Sequence, residues 1–212
     1  MRTSAILLFA TGALVLPRLD HVAIQDALVI GNSSFEADHR RFHAEYHFPL
    51  SAPPVDFISV VTPFRRVVLA AETEARQGRR SFGQREALAA LQPDPDRLEI
   101  FAELTFHPHH TFVAVPTYSI ELDPASRGVP VQLRDIEHIP RFTPRLQAPW
   151  YPLPYPFRET PRLPARADTL LGGTIIARFG LNGMEPTAVY SVVIRDGSRE
   201  VVRARVDFGR MR

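Results

Sequence analysis

The histidines are the residues of this chain best suited to metal or proton chemistry, and six of the eight fall in two short clusters. Neutral imidazole nitrogen binds zinc at about 2.0–2.1 Å, and imidazole also exchanges protons near neutral pH. Cysteine is absent, which excludes thiolate zinc sites, disulfides and a cysteine nucleophile. Any metal site must therefore be built from imidazole and carboxylate groups.

One cluster is His107, His109 and His110, in a bend where Pro108 restricts the backbone. Two of these imidazoles can converge without long-range folding, and a carboxylate from a neighbouring strand would complete a ligand set. The spacing matches no familiar zinc signature. A divalent metal bound by these three histidines is therefore the alternative to a polar loop that binds no metal.

The other cluster is His39, His43 and His47. On a helix, their four-residue spacing would stack all three on one face. On a strand they would spread over roughly 26 Å, which one ion cannot bridge. The alternation of apolar and polar residues over 42–48 predicts a strand, so we expect this row to be a solvated strand face.

Other signatures of catalysis or of phosphate binding are missing from the sequence. There is no Gly-x-Ser-x-Gly elbow, no Walker motif and no dinucleotide fingerprint. All 25 basic residues are arginine, and 23 acidic residues leave a net charge of only +2. Because the arginines form no dense basic stripe, we expect no nucleic-acid partner. These absences favour a binding or structural module over an enzyme.

The most unusual stretch is 140–164, which holds eight prolines. Neither a helix nor a central strand tolerates that density. Aromatic side chains on a stiff, extended backbone would form a preorganised surface for a protein strand or a sugar. The alternative is structural, with the aromatic rings covering an open sheet edge. The candidate binding residues are the aromatics Trp150, Tyr151, Tyr155 and Phe157, with Arg145 and Arg158 as their polar rim.

The elements that must position these residues are mostly strands. Runs with a single apolar face recur along the chain, without crossover helices alternating between them. This pattern predicts a mainly β protein, an antiparallel β-sandwich of immunoglobulin-like or related type. The exception is a short two-helix insertion over 62–92, where Thr62 is expected to cap a helix that starts at Pro63.

The register of the last hairpin follows from its apolar pattern. The even-numbered apolar residues of both strands must face one core, and a two-residue turn at Asp196 and Gly197 would send them to opposite faces. We therefore predict a three-residue loop that pairs Ile194 with Ser198 and places Gly197 in the left-handed conformation.

The 212 residues suit one domain, predicted over 41–212, which follows a linker over 19–40. Residues 1–18 contain an apolar run of signal-peptide length, shorter than the roughly 20 residues that span a bilayer. An uncleaved membrane anchor and an amphipathic or buried first segment are the alternatives. We expect a periplasmic or secreted, bacterial, non-enzymatic module whose partner is a protein or a carbohydrate. It would meet a membrane only through an uncleaved N-terminus, and it would need no cofactor apart from the metal alternative at 107–110.

Overall fold

The structure is a computed structural model that describes residue 15 and residues 18–79, 81–92, 94–125, 129–143 and 169–212. Strands outnumber helices, so the prediction of a mainly β protein is confirmed. The helices are α1 (His21–Gly31), α2 (Glu36–Ala44), α3 (Pro63–Arg76) and α4 (Gln84–Leu91). The strands are β1 (His47–Ala52), β2 (Val55–Val61), β3 (Arg97–Thr105), β4 (Ser119–Pro124), β5 (Leu133–Phe142), β6 (Leu170–Gly180), β7 (Val189–Asp196) and β8 (Arg199–Asp207).

The strands form two antiparallel sheets. The large sheet has the order β1-β2-β3-β6-β5, and the small sheet has the order β4-β7-β8. The alternating apolar residues of both sheets belong to one buried cluster, because each strand turns one face inward. Its members include Ile58, Val60, Leu98, Ile100, Ile175 and Phe179 from the large sheet, and Ile120, Leu122, Val192, Ile194 and Val206 from the small sheet.

The last hairpin confirms the shared core face but not the predicted register. Ile194 pairs with Val202 rather than with Ser198. The turn has two residues, the length that was expected to send the apolar residues of the two strands to opposite faces. An irregularity in the pairing after Ile194 adds one residue, and this returns both apolar rows to the same face. Gly197 has the predicted positive φ, at 58°.

The helices bury a second apolar cluster, distinct from that of the sheets. α1 lies against α3, and Gly31 allows the close approach, since a Cβ there would lie 2.6 Å from the Ala71 Cβ. The predicted linker over 19–40 is therefore wrong as a description of the backbone: it holds α1 and part of α2. The missed signal is the helical recurrence of Ala23, Ile24, Ala27 and Leu28, all buried.

The predicted two-helix insertion is present as α3 and α4. Thr62 Oγ1 accepts a hydrogen bond from the Arg65 amide at 3.2 Å, and Pro63 occupies the first turn, as predicted. Glu72 lies on the buried side of α3 even though it is charged, with its side chain only 4% exposed. The strand predicted over 42–48 is wrong in its first half, because α2 continues to Ala44 and β1 begins at His47.

The proline-rich stretch leaves the large sheet between β5 and β6. Residues 140–142 belong to β5, an edge strand, where proline costs no ladder hydrogen bond on its outer side. The Thr143 amide donates to the Thr169 carbonyl at 2.9 Å, and the Thr169 amide donates to Thr143 Oγ1 at 3.2 Å. The candidate binding residues Arg145, Trp150, Tyr151, Tyr155, Phe157 and Arg158 lie outside the described residues.

The predicted signal peptide or anchor over 1–18 also falls largely outside the described residues. In the part of the chain that the structure describes, no helix is long and apolar enough to cross a membrane.

A charge network joins the start of β3 to β5 and to the turn after β6. Arg134 donates to Asp94 at 2.7 Å and to Asp96 at 2.9 Å, and Asn182 also donates to Asp96. Burial alone would raise the pKa of Asp96, but the bonds to Arg134 outweigh it and hold that pKa below the ordinary 3.8. Gly180 leaves room for the guanidinium, since a Cβ there would lie 2.8 Å from its central carbon.

We expect Arg134→Gln to lower the free energy of unfolding by about 1 kcal/mol at pH 7, because the network is partly exposed to solvent. A depressed folded-state pKa stabilises the protein above the unfolded pKa of 3.8 and loses that effect as the pH falls through the folded value. The loss of unfolding free energy caused by Arg134→Gln, measured by urea unfolding, should therefore be smaller near pH 3 than at pH 7. An equal cost at both pH values would contradict an ionic role for this contact.

Candidate functional site

A cluster of two histidines and one glutamate lies where α2 meets α3. His39 and His43 are four residues apart on α2, so both point from one helix face toward Glu72 on α3. The expectation of a solvated strand face is therefore wrong for these two residues. His47 is separated from them, because it begins β1 and packs its ring 4.5 Å from the ring of Phe57.

Both imidazoles approach the same carboxylate oxygen. His39 Nδ1 lies 2.5 Å from Glu72 Oε1, and His43 Nε2 lies 2.7 Å from it. The other carboxylate oxygen lies 3.5 Å from the guanidinium of Arg76. Among the described residues, this is the one group in which three imidazole or carboxylate donors come within 4.8 Å of one another.

The outer nitrogens of the two rings have partners as well. His39 Nε2 lies 2.8 Å from the Ser33 carbonyl oxygen, which can only accept, so this nitrogen carries a proton. Arg65 Nε donates to His43 Nδ1 at 3.4 Å, so His43 directs its Nε2 proton to Glu72. The protein thus fixes which nitrogen of each ring faces the carboxylate.

Burial and hydrogen bonding oppose each other in this cluster. Burial alone would lower the pKa of His39, yet the hydrogen bonds to Glu72 and to the Ser33 carbonyl outweigh it and raise that pKa above 6.5. Burial would likewise raise the pKa of Glu72, but the two imidazoles outweigh it and hold the pKa below 4.5. The folded state therefore favours an ionised carboxylate with positive charge beside it.

His39 and Glu72 line part of an open cleft of about 690 Å³, whereas His43 does not line it. The turn between α1 and α2 borders one side, and α3 borders the other. Water or a small ligand can therefore reach His39 and Glu72 from solvent. The polar and charged residues around the opening are Asn32, Ser33, Ser34, Glu36, Arg76 and Arg79.

The predicted metal site at the 107–110 bend has a different geometry. His107 Nδ1 accepts a hydrogen bond from the His109 amide at 3.2 Å, and the two rings lie 5.4 Å apart. His110 uses both ring nitrogens: Nε2 lies 2.7 Å from the Leu170 carbonyl oxygen, and Nδ1 accepts from the Phe112 amide at 3.0 Å. The geometry favours a structural role for His110, and a metal at the bend stays a prediction.

The bend also lies beside the exit of the proline-rich stretch, because Leu170 pairs with Phe142 at the end of β5. Phe106, His110 and Phe112 form an aromatic group there, with ring centroids 4.9 to 5.5 Å apart. Several large apolar side chains at this end of the large sheet are exposed, namely Phe112, Val113, Ile139, Phe142 and Leu171. We call these five residues the sheet-end apolar group.

Sequence reasoning missed the His39, His43 and Glu72 cluster because it assigned the two histidines to a strand. Their spacing fits a helix face, and Glu72 follows Val68 by four residues on the buried side of α3. Charged residues among the apolar residues on the buried side of α3, Arg65 and Glu72, are the signal that could have identified it. Comparison with protein-family models, with curated proteins and with solved structures returns no match for this chain, so its function must be argued from the geometry.

Proposed function

We propose that the protein is an exported, non-enzymatic binding module whose two sheets form an immunoglobulin-like or related β-sandwich. In this proposal the stretch 140–164 binds a partner protein through its aromatic residues. The observation that carries it is the sheet-end apolar group: Phe142 is the last residue of β5, Leu171 is the second residue of β6, and both are exposed where the chain leaves and rejoins the sheet. Exposed apolar side chains near one another commonly mark an interaction site.

The scaffold suits this role because the stretch is anchored at both ends. The two hydrogen bonds between Thr143 and Thr169 hold its ends on adjacent strands. His110 ties the neighbouring bend to Leu170 at the same place. Binding residues on the connection between two strands of a rigid sheet are a common arrangement in sandwich proteins.

A protein partner is favoured over a carbohydrate because five large apolar side chains are exposed at this end of the sheet. Sugar sites combine aromatic rings with many hydrogen-bonding side chains, whereas the centre of a protein interface is apolar and poor in charge. The geometry of the 107–110 bend is consistent with a non-enzymatic role there. His110 directs both ring nitrogens to backbone groups, which leaves this ring unavailable as a general base.

Trp150 is the single tryptophan of the chain and provides the test. A photo-crosslinking amino acid at position 150, in the full chain made by its own cell, should capture one protein that can then be purified. That protein should change the fluorescence of Trp150 in the unmodified chain and bind with a measurable Kd. We expect Phe157→Ala and Leu171→Asp each to weaken binding by roughly tenfold or more, the typical cost of a lost apolar anchor.

The matched control is Arg85→Ala on α4, whose side chain is 93% exposed and lies outside the sheet-end apolar group. It should leave the Kd unchanged. A crosslink pattern identical at positions 150 and 85, or a Kd that neither Phe157→Ala nor Leu171→Asp moves, would remove the proposal. A fluorescence response to oligosaccharides alone would replace the protein partner with a sugar. A mature chain that keeps residues 1–18 would contradict cleavage and favour the membrane anchor.

A further inference from the structure

We propose that His39, His43 and Glu72 bind a divalent transition-metal ion of the zinc class where α2 meets α3, beside the open cleft that His39 and Glu72 line. The three donor atoms are two imidazole nitrogens and one carboxylate oxygen, within 4.8 Å of one another. Zinc accepts this combination in sites that keep a fourth position open to water or a ligand. The site is separate from the sheet-end apolar group and from the 107–110 bend.

The buried carboxylate is the first reason to place a cation here. Glu72 is 4% exposed, so its negative charge has lost most of its hydration. Arg76 approaches only the outer oxygen, at 3.5 Å, and its own side chain is largely in solvent. The inner oxygen, Oε1, faces imidazoles alone. A cation held between the two rings and Oε1 would offset that charge directly.

The orientation of His39 is the second reason. Its Nε2 must donate to the Ser33 carbonyl oxygen, which leaves the lone pair of the neutral ring on Nδ1, facing a carboxylate oxygen at 2.5 Å. Two lone pairs at that distance repel, so either a proton or a metal ion must lie between them. Metal-ligating histidines usually donate their other N–H to a carbonyl or carboxylate, as His39 does.

The cluster has room to expand around an ion. Bonds of about 2.0–2.1 Å in tetrahedral geometry separate two ligand atoms by roughly 3.3 Å. The present separations are 2.5 and 2.7 Å, so each ring must withdraw by less than about 1 Å. α2 carries both rings, and its Phe42 packs against Tyr46 and Phe64, so we expect the shift to come from the side chains of His39 and His43 rather than from the helix. The open cleft leaves space for a fourth ligand.

Two arginines set the electrostatic cost of binding. Coordination through His43 Nε2 places the ring proton on Nδ1, so the 3.4 Å hydrogen bond from Arg65 is lost. Arg65 keeps its hydrogen bonds to Ser59 and to the Val60 carbonyl. Arg76 remains beside Glu72 and repels the ion, so its removal should strengthen binding. This increase in affinity separates a metal site from a cluster that only anchors α2.

The experiment is calorimetric titration of the full, chelator-treated chain with Zn²⁺, with Co²⁺ absorption as a second probe of the coordination. We expect one ion per chain. His39→Ala and Glu72→Gln should weaken binding by at least roughly 100-fold, since each removes a ligand, and Arg76→Gln should tighten it by roughly threefold or more. His109→Ala should leave the affinity unchanged. Circular dichroism of each variant verifies that it is folded.

Histidine resonances of the unmodified chain provide a readout that needs no variant. In ¹H–¹⁵N spectra, stoichiometric Zn²⁺ should move the signals of His39 and His43 and leave those of the 107–110 bend in place. The proposal is overturned if the unmodified chain takes up no Zn²⁺, if His39→Ala binds as tightly as the unmodified chain, or if His109→Ala abolishes binding. It is equally overturned if Arg76→Gln weakens binding in a folded chain.

Discussion

Gly172→Ala should lower the free energy of unfolding by about 3 kcal/mol or more, because the added methyl group has no space. Gly172 pairs with Thr105 inside the large sheet, and a Cβ at this position would overlap the Leu104 carbonyl oxygen of the adjacent strand. It would also lie 3.0 Å from the guanidinium of Arg141. The obstacle is backbone, so only a shift of β3 against β6 relieves it. Unfolding in guanidinium chloride would measure the loss of stability, and amide hydrogen exchange of β3 would show where it occurs.

Leu171→Ala is the matched control, because Leu171 is the neighbouring residue and its side chain points outward, 39% exposed. Its loss should stay below about 1 kcal/mol. Faster amide exchange should be concentrated in β3, β6 and β5, which share this contact, rather than in the helices. A Gly172→Ala chain as stable as the original would show that β3 and β6 approach each other less closely than described.

Arg65→Ala should cost about 3 kcal/mol, because the change leaves buried acceptors without donors. Arg65 is 9% exposed and donates to Ser59 at 2.7 Å and to the Val60 carbonyl at 2.5 Å. Its guanidinium also lies 5.0 Å from the centre of the Tyr46 ring. Because one side chain joins α3, β2 and the start of β1, its loss should loosen the attachment of the helices to the large sheet. Thermal and urea unfolding measure the change.

Two further variants separate charge from packing at this position. Arg65→Met keeps the apolar stem and should recover about 1 kcal/mol of the loss. Arg85→Ala removes an arginine whose ion pair with Glu86 is on the surface, and it should change stability by less than about 0.5 kcal/mol. If Arg65→Ala lowered the free energy of unfolding as little as Arg85→Ala, the buried hydrogen bonds of Arg65 would make no net contribution to stability.

The positions of most strands could be predicted from the sequence because each has one apolar face, as in β3, where Leu98, Ile100, Ala102 and Leu104 are all buried. The cap of α3 could be predicted for a different reason, since Thr62 followed by Pro63 is a local signal. Both patterns depend on neighbouring residues alone, which is why they needed no knowledge of the tertiary structure.

The predictions that proved wrong concern segments whose sequence fits more than one structure. Residues 42–48 alternate like a strand, but the chain is helical up to Ala44, and side chains of α2 contact Phe64 and Glu72 of α3. At the last hairpin the apolar pattern identified the shared face but not the pairing: the turn lies further along the chain than predicted, and the irregularity after Ile194 adds one more residue, so Ile194 pairs four residues beyond Ser198. The role of Gly172 was equally hidden, because only the neighbouring strand reveals how close the Leu104 carbonyl lies.

The closure at Thr143 and Thr169 ties the end of β5 to the start of β6 by hydrogen bonds of its own. Since the two strands are also joined by their ladder, we expect them to keep their pairing when residues between 143 and 169 are added, removed or replaced. The sequence between the two strands could then vary more freely than the sequence of the core. For the same reason, it is a natural point for grafting foreign recognition sequences.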